Sequence, residues 1–322
     1  MDRRQVLAGM GASLAARPAF AQGQIPDDVP RWSSPVIDMH YHMRPDGAAI
    51  AVAHQRGAGV TAANLLTQTE QTNTTAKLRS EELVMFPSWF ISADITKPES
   101  QALLTAGVKA GARGLGEIKY NVQADGPEMH RVYALAADLN VPVLLHFQEP
   151  IPPETQGGFN LGVKKFANVL KAYPKTTFIG HANAFWANIS ADFAEQAQYP
   201  TGPIVPGGIT DRLLSDYPNL YADLSANSAN NALSRDPVFT ADFLKRHQDK
   251  LHFGSDCNCL DGRGTTAARA NASPDPAASL PAATRGKCIA RETLHLLTAS
   301  TTPEIFRKLA WTNAHRRLGL PV

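Results

Sequence analysis

Residues 36–45 read Val-Ile-Asp-Met-His-Tyr-His-Met-Arg-Pro and set Asp38, His40 and His42 at alternate positions of a short apolar run. Successive side chains of a strand point to opposite faces, so period two predicts all three polar residues on one side. Inside a core such residues are costly unless they are paired or bound to metal. Two imidazoles separated by one residue can take the same cation, although the His-x-His pair alone is equally well explained by structural hydrogen bonds. Other apolar runs carry polar residues in the same way. RGLGEIKY sets Glu117 and Lys119 on one face, VPVLLHFQE ends in His146, TTFIGHAN in His181 and LHFGSDCN in Asp256. A lone histidine after an apolar run is usually a hydrogen-bonded core residue, but its recurrence strand after strand argues for convergence. His and carboxylate donors together suit zinc or another borderline divalent cation.

The elements that must position these residues follow from hydrophobic periodicity and turn signals. Strands are predicted near 36–42, 60–66, 85–93, 114–119, 141–147, 177–181, 220–225 and 251–256, with helices between them, among them 128–139, 163–173, 211–217 and 239–248. Asn140, Pro174 and Pro218 stand where helices should end, and a last helix over 303–318 is framed by Thr302 as N-cap, Pro303 and Gly319. Eight βα units predict a (β/α)8 barrel over 36–322, and a doubly wound sheet is disfavoured because no Gly-rich phosphate loop follows any strand. The segment 258–286 is rich in Ala, Ser, Thr and Pro, and its length beside Asp256 favours a lid over a disordered segment.

Bulk properties narrow the functional classes. The chain has 322 residues, is 43% hydrophobic and 19% charged, and carries a formal net charge of +2, too balanced for a nucleic-acid or anionic-membrane binder. No apolar run is long enough to span a bilayer. Cys257, Cys259 and Cys288 are the only cysteines, too few for a disulfide scaffold or a four-thiolate zinc site. At the N-terminus, Arg3-Arg4, an apolar stretch over 6–16 and Ala19-Phe20-Ala21 have the order of an export signal cleaved after Ala21, followed by a polar arm over 22–35. This leader resembles the twin-arginine type, which implies export of a folded protein to the periplasm; a mature amphipathic helix is the alternative.

The ordered set His40-x-His42, Glu117, His146, His181 and Asp256 resembles the metal centre of the amidohydrolase superfamily, in its amidohydrolase-2 branch, over about 36–318. The resemblance implies a site at the C-terminal ends of the barrel strands, holding one or two divalent ions, zinc foremost, and metal-assisted attack of water on a carbonyl or phosphoryl centre; the leading expectation is cleavage of an amide, lactone or ester bond of a small molecule. It implies that His40, His42 and His146 are ligands, that His181 binds a second ion or polarises the substrate, and that Asp256 is both a ligand and the acceptor of the water proton. Glu117 falls where some members carry a bridging carboxylate, with an ion pair to Lys119 or Arg113 as its alternative. Asp38 would orient a ligand or an arginine, or serve as a buried acceptor. Arg44, Lys119, Asn183 and Trp186 are the candidates for substrate contact. The same branch contains non-oxidative decarboxylases of aromatic or unsaturated acids, which stand as the second reading, and a non-enzymatic binding barrel is a third. Self-association is left open. Cys257 or Cys259 could be a thiolate ligand, could pair with Cys288 in an oxidising compartment, or could simply pack. His54, His130, His247, His252, His295 and His315 are assigned surface or capping roles.

Overall fold

The computed structural model describes residues 28–42, 48–68, 85–150, 158–193, 199–264 and 286–320. The leader, Arg44 and most of the 258–286 segment lie outside the described residues.

Strands β1 (Ile37–His42), β2 (Ala62–Gln68), β3 (Ser88–Ser92), β4 (Leu115–Ile118), β5 (Val143–His146), β6 (Phe178–His181), β7 (Leu220–Asp223) and β8 (Leu251–His252) pair in sequence order. Every neighbouring pair is parallel, as βα units require. The chain beyond β8 brings the sheet back onto β1: the Met39 amide donates to Phe253 O at 3.0 Å and the Asp256 amide to His40 O at 2.7 Å. The result is the eight-stranded barrel that the alternation predicts. The eighth strand is shorter than predicted because the chain after His252 departs through Gly254, whose Cα packs against β1; a Cβ there would meet His40 Cβ at 2.9 Å.

The barrel lumen is a packed core rather than a pore. Ile37, Met39, Leu66, Phe90, Leu144 and Ile179 fill it, and Ala314, Leu318 and Trp311 from the C-terminal helical segment pack at its N-terminal end. A larger apolar layer, including Tyr133, Phe147, Phe166 and Phe185, lies between the strands and the surrounding helices. The caps follow the sequence signals: Asn140 takes the left-handed conformation after the helix Pro127–Leu139, and the Thr302 hydroxyl accepts from the Ile305 amide. The last helix is not continuous as predicted. A π-helical stretch, Lys308–Thr312, divides Pro303–Arg307 from Asn313–Leu318. Its widened turn frees Leu309 O to accept from the Phe253 amide at 2.8 Å, which ties the helix to the β8 end.

One expectation about β1 is corrected. The ladder between β1 and β2 shifts register between Asp38 and Tyr41, and this irregularity changes the phase of the pleat. Met39 points into the lumen with Ile37, whereas Asp38 and Tyr41 both meet the helix Ala48–Gly57, Asp38 accepting from Gln55 Nε2 at 3.0 Å and Tyr41 stacking on His54. Asp38 therefore does not share a face with His40 and His42. Three of the histidines assigned to surface or capping roles are also buried: His54, His247 and His252. Burial pushes His252 down to about 3, which keeps that ring neutral.

Candidate metal centre

Six residues at or just beyond the ends of five of the strands converge at the C-terminal mouth of the barrel. β1 delivers His40 and His42, β4 delivers Glu117, β5 His146, β6 His181, and the chain after β8 Asp256. Gly116 sets the β4 backbone: its φ of 141° lies in a region that L side chains avoid, and a Cβ would meet Leu144 Cβ at 2.8 Å. Strand β5 thus approaches close enough to bring Glu117 beside His146. Asp256, at φ 43°, and Ala182, at φ 78°, are non-glycine residues with positive φ at the same rim, a backbone conformation retained where surrounding packing imposes it.

Glu117 stands at the middle of the cluster with its two oxygens turned to opposite groups. Oε2 lies 3.1 Å from His42 Nε2 and 3.9 Å from His40 Nε2, while Oε1 lies 2.5 Å from His146 Nδ1 and 3.5 Å from His181 Nε2. Asp256 spans the same gap from the other side: Oδ1 is 3.8 Å from His40 Nε2 and 3.7 Å from His42 Nε2, and Oδ2 is 3.7 Å from His181 Nε2. Of the two readings of Glu117, the geometry places it among imidazoles; Arg113 sits instead against Gly319. Burial would raise the Glu117 carboxyl, but His146, His42 and His40 outweigh it and hold the group well below its usual range.

The donor set fits a divalent cation. His181 Nε2 is buried and has no hydrogen-bond partner, although its Nδ1 is engaged. His40 Nε2 and His42 Nε2 face one another at 3.3 Å, both at the edge of two carboxylates. Three overlapping triads can each present ligand atoms within 4.8 Å of one another: His40 with His42 and Glu117, Glu117 with His146 and His181, and His40 with His181 and Asp256. Two neighbouring ion positions sharing Glu117 can be accommodated by such an arrangement.

A residue that the sequence reading passed over orients the centre. Asp223, at the end of β7, lies with Oδ2 2.6 Å from His40 Nδ1 and Oδ1 3.0 Å from His181 Nδ1. Its Oδ1 also receives the Ser225 amide and hydroxyl. Burial would raise Asp223, but the His181 and His40 rings prevail and keep it ionised far below the ordinary carboxylate range. In return, burial draws both rings down and the Asp223 charge lifts them above the usual imidazole value. With Nδ1 of each ring committed to the carboxylate, Nε2 is left to face the centre. The run Tyr-Ala-Asp-Leu-Ser carried the signal, an acid at the end of an apolar strand, as in β4.

The other predicted residues are distributed as follows. Asp38 is outside the cluster; it accepts from the His40 amide at 3.0 Å, the Ser255 amide at 2.8 Å, the Ser255 hydroxyl at 2.5 Å and Gln55, so it fixes the seam between β1 and the chain after β8. Lys119 is exposed and lines a cleft of about 260 Å³ that His42, Glu117, Gln68, Ser92 and Tyr120 also line. Asn183 hydrogen-bonds to Tyr199, as does Asn227, and burial keeps the Tyr199 phenol protonated above its usual range, with the Asp256 charge adding to that effect. Tyr199 was not anticipated, and nothing in its local sequence marks it. Trp186 is corrected: it is fully buried among Phe185 and Phe243, and its indole donates to Asp223 O at 3.1 Å, so it braces the end of β7 instead of meeting a ligand.

A family model described as amidohydrolase matches residues 30–320. No curated protein matches the chain. Solved structures with the same fold include a probable 2-pyrone-4,6-dicarboxylic acid hydrolase from Acinetobacter baumannii with citric acid bound, 12% identical, with a TM-score of 0.53 over 89% of this chain and 100% of that one. A dihydroorotase from Campylobacter jejuni is 15% identical, with a TM-score of 0.54 over 89% of this chain and 84% of the other. A 5-carboxyvanillate decarboxylase from Novosphingobium aromaticivorans, complexed with manganese and 4-hydroxy-3-methoxy-5-nitrobenzoic acid, is 13% identical, with a TM-score of 0.52 over 84% of this chain and 79% of that one.

Proposed function

The chain belongs to the amidohydrolase family, and on that premise we propose that it is a metal-dependent hydrolase cleaving an amide, lactone or ester bond of a small, carboxylate-bearing molecule. The observation that carries this reading is Glu117, whose two oxygens are shared between the His40–His42 side and the His146–His181 side. A carboxylate so divided suits two adjacent ions, an arrangement that serves the addition of water to a carbonyl and that loss of carbon dioxide does not require. His40, His42, Glu117, His146, His181 and Asp256 would hold the ions, zinc or manganese by the chemistry of the donors. When bound, a divalent ion polarises a carbonyl oxygen and lowers the pKa of water from about 15.7 to about 7.

The chain's own residues supply the remainder. Asp256, part-exposed at the mouth and within 4 Å of three of the histidines, takes the proton of the attacking water. Asp223 holds His40 and His181 in the tautomer that turns Nε2 to the centre. Tyr199, kept protonated by burial, is a neutral donor at the rim. Lys119, in the cleft beside His42, grips the substrate carboxylate. The order of Arg3-Arg4, the apolar stretch and Ala19-Phe20-Ala21 supports a further part of the proposal, that the enzyme is exported to the periplasm by a twin-arginine leader.

The test is turnover in isotope-labelled water of a panel of lactones, amides, esters and free aromatic acids, with and without chelator. Label in a newly formed carboxylate, lost on chelation and restored by zinc or manganese, is expected. Release of carbon dioxide from an aromatic acid, with no hydrolysis of any member of the panel, would establish the decarboxylase reading instead.

A further inference from the structure

A second group of metal-ligating side chains lies outside the centre just described. His54, Cys257, Cys259 and Cys288 are all buried, and each can present one ligand atom such that the four atoms lie within 4.8 Å of one another. Cys257 Sγ is 3.5 Å from Cys259 Sγ and 3.8 Å from Cys288 Sγ. A disulfide would require about 2.05 Å. Sulfurs placed tetrahedrally around one ion, at metal–sulfur distances of about 2.3 Å, stand about 3.8 Å apart. The observed spacing therefore has the size of a tetrahedron's edge.

His54 supplies an independent indication. Its ring is fully buried, yet neither Nδ1 nor Nε2 has a hydrogen-bond partner. Stranding a buried polar group is costly, so such a ring calls for an unseen partner. The ring is stacked on Tyr41, with centroids 5.1 Å apart at 27°, which fixes its plane beside the sulfurs. The surrounding backbone is drawn in as closely as glycine allows. A Cβ on Gly262 would meet His54 O at 2.0 Å, and one on Gly57 would meet Asp261 O at 1.9 Å. The turn after Cys259 is thus seated on the last turn of the helix that carries His54.

We propose that His54, Cys257, Cys259 and Cys288 form a second, structural metal site of the three-thiolate, one-imidazole type, with zinc or a similarly thiophilic divalent ion as its occupant. Four protein ligands leave no open position, so this site holds structure and does no chemistry on substrate. Binding forms three metal–thiolate bonds and one metal–imidazole bond, releases the thiol protons to solvent and transfers no electrons. The ion joins three pieces distant in sequence: the helix Ala48–Gly57, the chain directly after Asp256, and Cys288 at the N-terminus of the helix Ile289–Ser300. It fastens both ends of the segment 260–287, and it does so next to Asp256. Of the three roles that the cysteines were given from sequence, this assignment takes up the thiolate ligand, at a second site; His54 was left out because it does not end a strand.

Cobalt distinguishes the two centres, because only thiolates give an intense near-ultraviolet sulfur-to-cobalt charge-transfer band, whereas the barrel centre offers nitrogen and oxygen alone. The full-length protein, stripped of metal under reducing conditions and reloaded with Co2+, is expected to show that band together with tetrahedral visible bands. Cys259→Ser should weaken the band in proportion to the lost thiolate, and His54→Cys should retain it with greater intensity. X-ray absorption of the zinc form should find sulfur scatterers at about 2.3 Å. A wild-type cobalt spectrum with nitrogen and oxygen ligation only would overturn the proposal. A disulfide-linked peptide joining Cys257 or Cys259 to Cys288 in freshly purified, unreduced protein would overturn it as well.

Discussion

Asp223 bridges His40 and His181 from behind, with Oδ2 2.6 Å from Nδ1 of the first ring and Oδ1 3.0 Å from Nδ1 of the second. One carboxylate on β7 therefore orients histidines from β1 and β6, and each of the three triads of the centre contains at least one of those two rings. Asp223→Asn is expected to weaken zinc binding at the barrel centre by about 10–100-fold, measured by competition with a chromophoric chelator. Because Asp223 holds both rings above the usual imidazole range against the pull of burial, protons compete for them at a higher pH than for a free histidine. Metal uptake by the wild type should weaken as pH falls through that raised range, and in the Asn variant the same decline should begin at a lower pH. Equal affinities and identical pH profiles would remove Asp223 from the centre.

Asp256 reaches toward His40 and His42 with one oxygen and toward His181 with the other. Asp256→Asn should lower kcat by about 100-fold or more, the contribution of a positioned proton acceptor, while the thermal midpoint stays close to that of the wild type. Turnover at the wild-type rate in a folded variant would mean that another group takes the proton.

Lys119 lines the cleft as an exposed residue, its Nζ 5.2 Å from the centroid of the Phe159 ring. Lys119→Gln is expected to raise KM for a carboxylate-bearing substrate by about 10-fold or more, in line with about 1.5–3 kcal/mol for a charged hydrogen bond, with little change in kcat. A methyl ester of the same substrate should show no such difference; if both substrates are affected alike, Lys119 is not the grip.

Asp38 takes four donors at the seam, two from Ser255, one from Gln55 and one from the His40 amide. Asp38→Ala leaves those buried donors unpaired and is expected to destabilise the fold by about 3 kcal/mol or more in urea denaturation. Asp38→Asn, which keeps an acceptor oxygen, should cost less. A loss of activity with full stability would instead assign Asp38 to the chemistry.

Arg3 and Arg4 carry the export proposal. Replacing both by Lys should retain the precursor in the cytoplasm, and N-terminal sequencing of the wild-type periplasmic form should begin at Gln22. A periplasmic product that still begins at Met1 contradicts the cleavage.

The barrel and its six mouth residues were readable because each is marked twice, once by its apolar run and once by a polar residue ending that run. His40, His146 and His181 illustrate this: the strand pattern locates the backbone and parallel register brings the ends together. Asp38 was misplaced because a one-residue irregularity in β1 leaves no trace in composition yet reverses the face of every residue before it. Trp186 was misplaced because a position after a strand end specifies a neighbourhood and not a direction, and this indole turns back into the wall. Tyr199 and the His54–cysteine cluster arise from segments remote in sequence that only the closed fold superposes.

Ala314, Leu318 and Trp311 stopper the barrel at the end away from the histidines, and bulky lumen residues fill what lies between. Among the described residues, arrivals and departures then share the doorway at the histidine end. A spent molecule still lodged there bars its successor, so inhibition by the reaction product should be competitive.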